Sequence, residues 1–128
     1  MLCNKMCDEP YIRFCGVVNS FGKLIAGSFR EGIQPLDNDT QREMLYMQSR
    51  LEISMKTEFD DALGSVTHII TYRENVAIVS IPIKSEQYHV LISAERIADI
   101  QKIVDLVITH FEINRRYKNE EHSKIPQH

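Results

Sequence analysis

The chain has 128 residues and 14.9 kDa, with 15 Lys and Arg against 18 Asp and Glu, so that its formal charge is −3. A chain this long can bury about two-thirds of its unfolded surface in one core, which suits a single domain and leaves no room for two. No run approaches ~18 apolar residues and no basic start leads into an apolar stretch, so the expectation is a soluble, cytoplasmic protein with no membrane contact; the acidic balance argues against a nucleic-acid partner.

The first residues carry all the cysteines, Cys3, Cys7 and Cys15, an odd number crowded at one end and therefore not a disulfide scaffold. In a short helix over residues 2–8 the i, i+4 spacing puts Cys3 and Cys7 on one face, where thiolates could share a soft metal or form a redox pair. A structural zinc site wants four ligands, and no Cys-x-x-Cys or His-x-x-His completes the set. The plainer reading is small buried side chains at a reduced terminus, with no metal and no cofactor.

Tyr11 to Val18 and Leu24 to Phe29 are rich in aromatic and β-branched residues, and Ser20-Phe21-Gly22-Lys23 between them predicts a hairpin turning at Gly22. Arg30-Glu31-Gly32-Ile33-Gln34-Pro35 reads as a connecting loop. Asp37, Asn38, Asp39 and Thr40 then offer N-cap oxygens for a long helix ending at Gly64. At 100° per residue Met44, Leu45, Met47, Leu51, Met55, Phe59, Ala62 and Leu63 fall on one broad stripe, which predicts the core face. Tyr46 and Ile53, seven apart, lie on the other side among Arg42, Ser49, Arg50, Thr57 and Asp60 and form a second, off-core patch.

Val66 to Tyr72, Val76 to Ile83 and Tyr88 to Ser93 predict a three-stranded antiparallel meander with polar turns at residues 73–75 and 84–87. The nearly continuous apolar run of the second suits a strand covered on both faces. Ile97, Ile100, Ile103, Val104, Val107, Ile108 and Phe111 recur at helical spacing and predict a last helix packed on the sheet. The sequence thus divides into a single domain over residues 1–113 and a polar extension over 114–128 without an apolar period, expected to be flexible.

The order α-β-β-α-β-β-β-α makes an α+β fold, a five-stranded antiparallel sheet with helices on both faces, the natural solution. With phrases such as Gly16-Val17-Val18-Asn19-Ser20-Phe21-Gly22-Lys23-Leu24-Ile25-Ala26-Gly27, this order resembles the roadblock family, also called dynein light chain roadblock, within the profilin-like and longin-like group. The resemblance covers about residues 2–113. The chain is also similar to small uncharacterised archaeal proteins in which a strand runs into Arg30-Glu31-Gly32-Ile33 and Pro35-Leu36.

The resemblance implies homodimers or heterodimers in which the middle helix and the third strand meet their counterparts. The residues that would serve are Tyr46 and Ile53, with Arg42 and Arg50 beside them, and Val66, His68, Ile70 and Tyr72 of a strand with no charge or Pro to blunt its edge. Arg30, Glu31 and Gly32 are a further candidate, as a loop that could touch a partner, against the ordinary reading of a turn with a local ion pair.

A search for catalytic chemistry assigns no residue. There is no Gly-x-Ser-x-Gly elbow and no Gly-x-x-x-x-Gly-Lys phosphate cradle. The carboxylate pairs Asp60-Asp61 and Glu120-Glu121 diverge by about 100° on a helix. His68, His89 and His110 stand on separate elements, where hydrogen-bonded or surface roles are the ordinary ones. The leading expectation is a non-enzymatic, dimeric interaction platform whose partner, as the resemblance implies, is a small GTPase or a scaffold subunit. The alternative is a small-molecule or redox sensor with an apolar pocket beside Met44, Met47, Met55 and Phe59, and what decides between them is whether such a cavity opens or whether Cys3, Cys7 and Cys15 converge.

Overall fold

The structure, a computed structural model, describes residues 2–83 and 87–123, with side chains as far as residue 112. The elements in chain order are α1 (Leu2–Cys7), β1 (Ile12–Asn19), β2 (Leu24–Phe29), α2 (Asp39–Lys56), a 3₁₀ turn (Thr57–Phe59), α3 (Asp60–Leu63), β3 (Ile69–Tyr72), β4 (Ala77–Pro82), β5 (Tyr88–Ala94) and α4 (Ile100–Ser123). The chain divides into two units, residues 1–98 with the sheet and residues 99–128 with α4. The first is α+β, as the element order predicts.

Its sheet has five antiparallel strands in the order β2-β1-β5-β4-β3. The β1–β2 hairpin turns at Gly22, whose φ of 76° suits a residue without Cβ. Asn19 closes the turn by accepting on its Oδ1 from the N–H groups of Phe21 and Lys23 at 2.9 and 3.0 Å. A Cβ on Gly22 would also stand 3.0 Å from the Met47 Cα, so glycine lets the turn lie close to α2.

Alternation along β1 sends Phe14 and Val18 to one face and Cys15 to the other. On the first face Phe14, Val18 and Leu91 cluster with Tyr46 of α2, and Leu45 and Ile78 pack round them. On the second, α1 lies over β1 and β2: Cys7 donates its thiol to the Ser28 carbonyl at 3.2 Å, and Cys3 shares a thiol–thiol hydrogen bond with Cys15. Helices therefore cover both faces within this one unit.

α2 starts where its capping residues predict. Asn38 accepts from the Gln41 N–H at 2.8 Å while Gln41 Oε1 accepts from the Asn38 N–H at 3.0 Å, a reciprocal capping box. The helix expected to run unbroken to Gly64 tightens after Lys56, where the Thr57 hydroxyl donates back to the Ser54 carbonyl at 2.7 Å and competes with the regular ladder. α3 completes the segment, and Gly64 ends it with φ 84°.

The expected faces of α2 are reversed. Its buried residues are Tyr46, Ser49 and Ile53, with Tyr46 7% and Ile53 4% exposed, whereas Met44, Met47, Leu51 and Met55 are 54%, 49%, 60% and 73% exposed. Phe59 and Leu63 beyond them are exposed as well. A helix with apolar residues on two sides offers the sheet a choice that periodicity cannot make. The inner side wins because the Tyr46 ring fills the space over Phe14 and Leu91, Ile53 is buried as well, and the Ser49 hydroxyl meets a buried histidine.

β3 is shorter than expected. It begins at Ile69, paired with Ser80, so Val66 and His68 stand before the strand rather than in it. Two residues further back the same register would set Thr67 against Pro82, which has no N–H to give. The turn expected at residues 84–87 falls largely outside the described residues.

In the second unit Asp99 accepts from the Lys102 N–H at 3.1 Å, placing the start of α4 at Ile100 and leaving Ile97 exposed ahead of it. Ile100, Ile103, Val104 and Val107 are buried at the predicted spacing. The helix continues through residues 114–123 of the expected extension, and residues 124–128 lie outside those described. Among the described residues no helix is long and apolar enough to cross a membrane.

Candidate interaction surface

Two apolar features of the sheet unit are exposed among the described residues. One is the outer face of α2, where Met44, Met47, Leu51 and Met55 follow one another at helical spacing. The other is the outer edge of β3, four uncharged residues whose Ile70 and Tyr72 side chains are exposed. Arg96 sits over the Tyr72 ring at 5.7 Å. β2, at the opposite edge, is likewise uncharged, with Ile25 exposed.

Of the expected interface residues, only Ile70 and Tyr72 are exposed on a strand edge. Tyr46 and Ile53 are core residues, and burial pushes the Tyr46 phenol up. Arg42 is held locally: it bonds the Asp37 carboxylate at 3.2 Å, pairs with Asp39, and lies over the Phe29 ring at 5.6 Å. Arg50 is half-buried with its Nε unpartnered among the described residues. Val66 is half-buried and His68 engages the Thr67 hydroxyl at 3.1 Å. Sequence reasoning placed Met44, Met47, Leu51 and Met55 in the core, and periodicity carries no signal that would have moved them out.

The Arg30-Glu31-Gly32 loop divides in the same way. Arg30 turns inward, its Nε donating to the Ile12 carbonyl at 2.8 Å and its terminal nitrogen to the Glu9 carbonyl. Between those carbonyls sits Tyr11 with φ 69°, a left-handed conformation uncommon for a residue with a side chain. The guanidinium is thus a clasp across the α1–β1 connection, while Glu31 and Gly32 are exposed.

The most buried polar group is His89, fully covered, with Nε2 2.9 Å from the Ser49 hydroxyl. Burial, with the nearby Arg50 charge, lowers its pKa to about 4 and keeps it neutral at pH 7. Ser49 already donates to the Tyr46 carbonyl at 2.8 Å, so the histidine is the donor to Ser49 and its Nδ1 is unpartnered among the described residues. With its proton committed to a carbonyl and its oxygen accepting from the histidine, Ser49 links α2 to β5.

The cysteines converge without making a metal site: among the described residues no group of three or more His, Cys, Asp or Glu could hold an ion. The thiol–thiol hydrogen bond lowers Cys3 and raises Cys15, and burial pushes Cys7 up. A cavity of about 80 Å³ does open beside α2, between Phe14, Tyr46, Ile78 and Leu91. It lies on the inner side and is smaller than the ~300 Å³ at which ordinary small-molecule sites begin, whereas a second, open cavity of about 400 Å³ lies where Asp39, Glu43 and Met47 of α2 face Gly22, Lys23 and Leu24 of the hairpin.

Comparison with known proteins places this geometry. Residues 1–119 match a family model described as a family of unknown function, DUF6659, and the chain belongs to that family. A comparison with curated proteins found no match. Among solved structures the chain is similar to a Roadblock/LC7 domain from Streptomyces avermitilis, at 12% identity over 91% of this chain and 93% of that one, TM-score 0.69. It is similar to MglB of Myxococcus xanthus, at 13% identity over 87% and 92% with TM-score 0.63, and to an MglB described as having a tetrameric arrangement, at 9% over 84% and 83% with TM-score 0.66. The fold is that of a roadblock domain.

Proposed function

We propose that this protein is a non-enzymatic interaction module that pairs with a second copy of itself through the outer face of α2 and the edge of β3. The observation that carries the proposal is the row Met44, Met47, Leu51 and Met55, exposed on a helix whose other face is already buried. A helix apolar on both sides is ordinarily covered on both. From Met44 to Met55 the row is about 16 Å long, too little for the ~800 Å² per partner that a stable interface buries, which is why β3 is included. A two-fold axis lets the same strand edge serve both copies.

The roadblock resemblance supports β3 rather than β2 as the paired edge, and a small GTPase or a scaffold subunit as what the assembled pair binds. The tetrameric arrangement named for one structural relative is that protein's own; it agrees with surfaces of this kind. No catalytic role is assigned to any residue in this reading.

Light scattering after size-exclusion chromatography tests it. Wild type is expected at the mass of two chains, and Leu51→Glu with Met55→Glu at the mass of one with an unchanged circular dichroism spectrum. Ile70→Lys on β3 lowers the mass and Ile25→Lys on β2 does not. A wild type of one-chain mass at tens of micromolar overturns the proposal.

A further inference from the structure

The outer face of α2 is unusual in its chemistry as well as its exposure, because three of its four exposed apolar residues are methionines. Met6, by contrast, is buried. A thioether reacts with a hydroperoxide directly, whereas a thiol reacts through its thiolate. The thiols here are poorly placed to compete. Cys3 and Cys15 are buried, and Cys7 is half-buried with its thiol proton donated to the Ser28 carbonyl.

We propose that Met44, Met47 and Met55 make the self-association of this protein sensitive to oxidation, a hydroperoxide converting them to sulfoxides and holding the copies apart. The proposal rests on the self-association described above. In the reaction the sulfur lone pair attacks a peroxide oxygen, the O–O bond breaks and an S–O bond forms. The proton of the transferred hydroxyl passes to the departing oxygen, which leaves as water from hydrogen peroxide or as an alcohol from an organic hydroperoxide, so that sulfur is oxidised by two electrons and the peroxide reduced. Each sulfoxide oxygen is a strong acceptor, and burying it against apolar side chains without a donor weakens pairing several-fold or more. Three such oxygens on one face weaken pairing by far more than tenfold.

Pairing also protects the sulfurs it uses. The paired state covers all three methionines, so oxidation proceeds through the separated chain and slows as protein concentration rises. A surface that merely carried reactive methionines would show no such dependence.

The experiment treats the whole chain with hydrogen peroxide, follows intact mass and peptide masses, and measures solution mass by light scattering. Its control is the triple variant Met44→Leu, Met47→Leu, Met55→Leu, which conserves volume and apolar character. Wild type is expected to gain about 16 Da at each of the three methionines and to fall to one-chain mass. The variant keeps two-chain mass under the same treatment, and a methionine sulfoxide reductase with a thiol reductant restores wild type. Wild type that carries all three sulfoxides and keeps two-chain mass overturns the proposal while leaving self-association intact. So does a triple variant that separates as readily, since the thiols would then be responsible. A wild type of one-chain mass before any peroxide is added overturns both.

Discussion

On its inner side α2 presents Tyr46, Ser49 and Ile53 to the sheet, where the ring and the branched chain are covered and the hydroxyl is tied to His89; on its outer side Met44, Met47, Leu51 and Met55 face solvent in the single chain. The two sides carry similar apolar content and differ in what fills the space opposite. The inner side meets a surface shaped by Phe14, Val18 and Leu91 and includes a polar pair with fixed geometry. The outer side is flexible thioether and leucine, chemistry that adapts to more than one packing partner. Residues that specify a fold and apolar residues left exposed can thus share one helix, distinguished by mutual fit rather than by hydrophobicity.

The comparison breaks most visibly under matched substitutions on the two sides. Ile53→Ala is expected to cost about 3 kcal/mol by removing buried methyl and methylene groups, measured as a lowered urea midpoint. Leu51→Ala should move that midpoint by less than about 0.5 kcal/mol in a chain already separated by Met55→Glu. Equal losses at the two positions would mean that the outer side is covered within the chain.

The polar pair of the inner side has its own signature in pH. His89 binds its proton near pH 4 in the folded chain and at the ordinary value of about 6.5 when unfolded, so between these values the unfolded state holds more protons. Stability is therefore complete above about pH 6.5 and falls as pH drops towards 4, by about 1.4 kcal/mol per unit at the steepest. Urea titrations across this window should show the slope in wild type and a shallower one in His89→Gln. A slope the same in both would place the titrating group elsewhere.

Smaller effects sharpen the picture at the margins of the sheet unit. Arg30→Ala should cost about 1–2 kcal/mol, since it removes the guanidinium hydrogen bonds to the Glu9 and Ile12 carbonyls beside the left-handed Tyr11. Asn38→Ala should cost about 1 kcal/mol by opening the capping box of α2. Neither is expected to change solution mass, because neither side chain belongs to the outer face.

Most of the architecture was legible from local chemistry. Gly22 marked a turn that only a residue tolerant of positive φ makes cheaply, Asn38 stood where a helix needs an acceptor, and the apolar run from Val76 to Ile83 announced a strand covered on both sides. These signals act over a few residues, so the sequence by itself determined the element order and, through it, the α+β sheet. Orientation was different. Which side of α2 faces the sheet depends on whether Tyr46 fits over Phe14 and whether Ser49 reaches His89, forty positions away, and no helical period contains that information. The end of β3 likewise depended on a proline in the neighbouring strand, and the inward turn of Arg30 on two carbonyls from another connection. Periodicity finds the apolar stripes of a helix; only the shape and hydrogen-bonding partners brought by distant segments decide which stripe is core and which is left exposed.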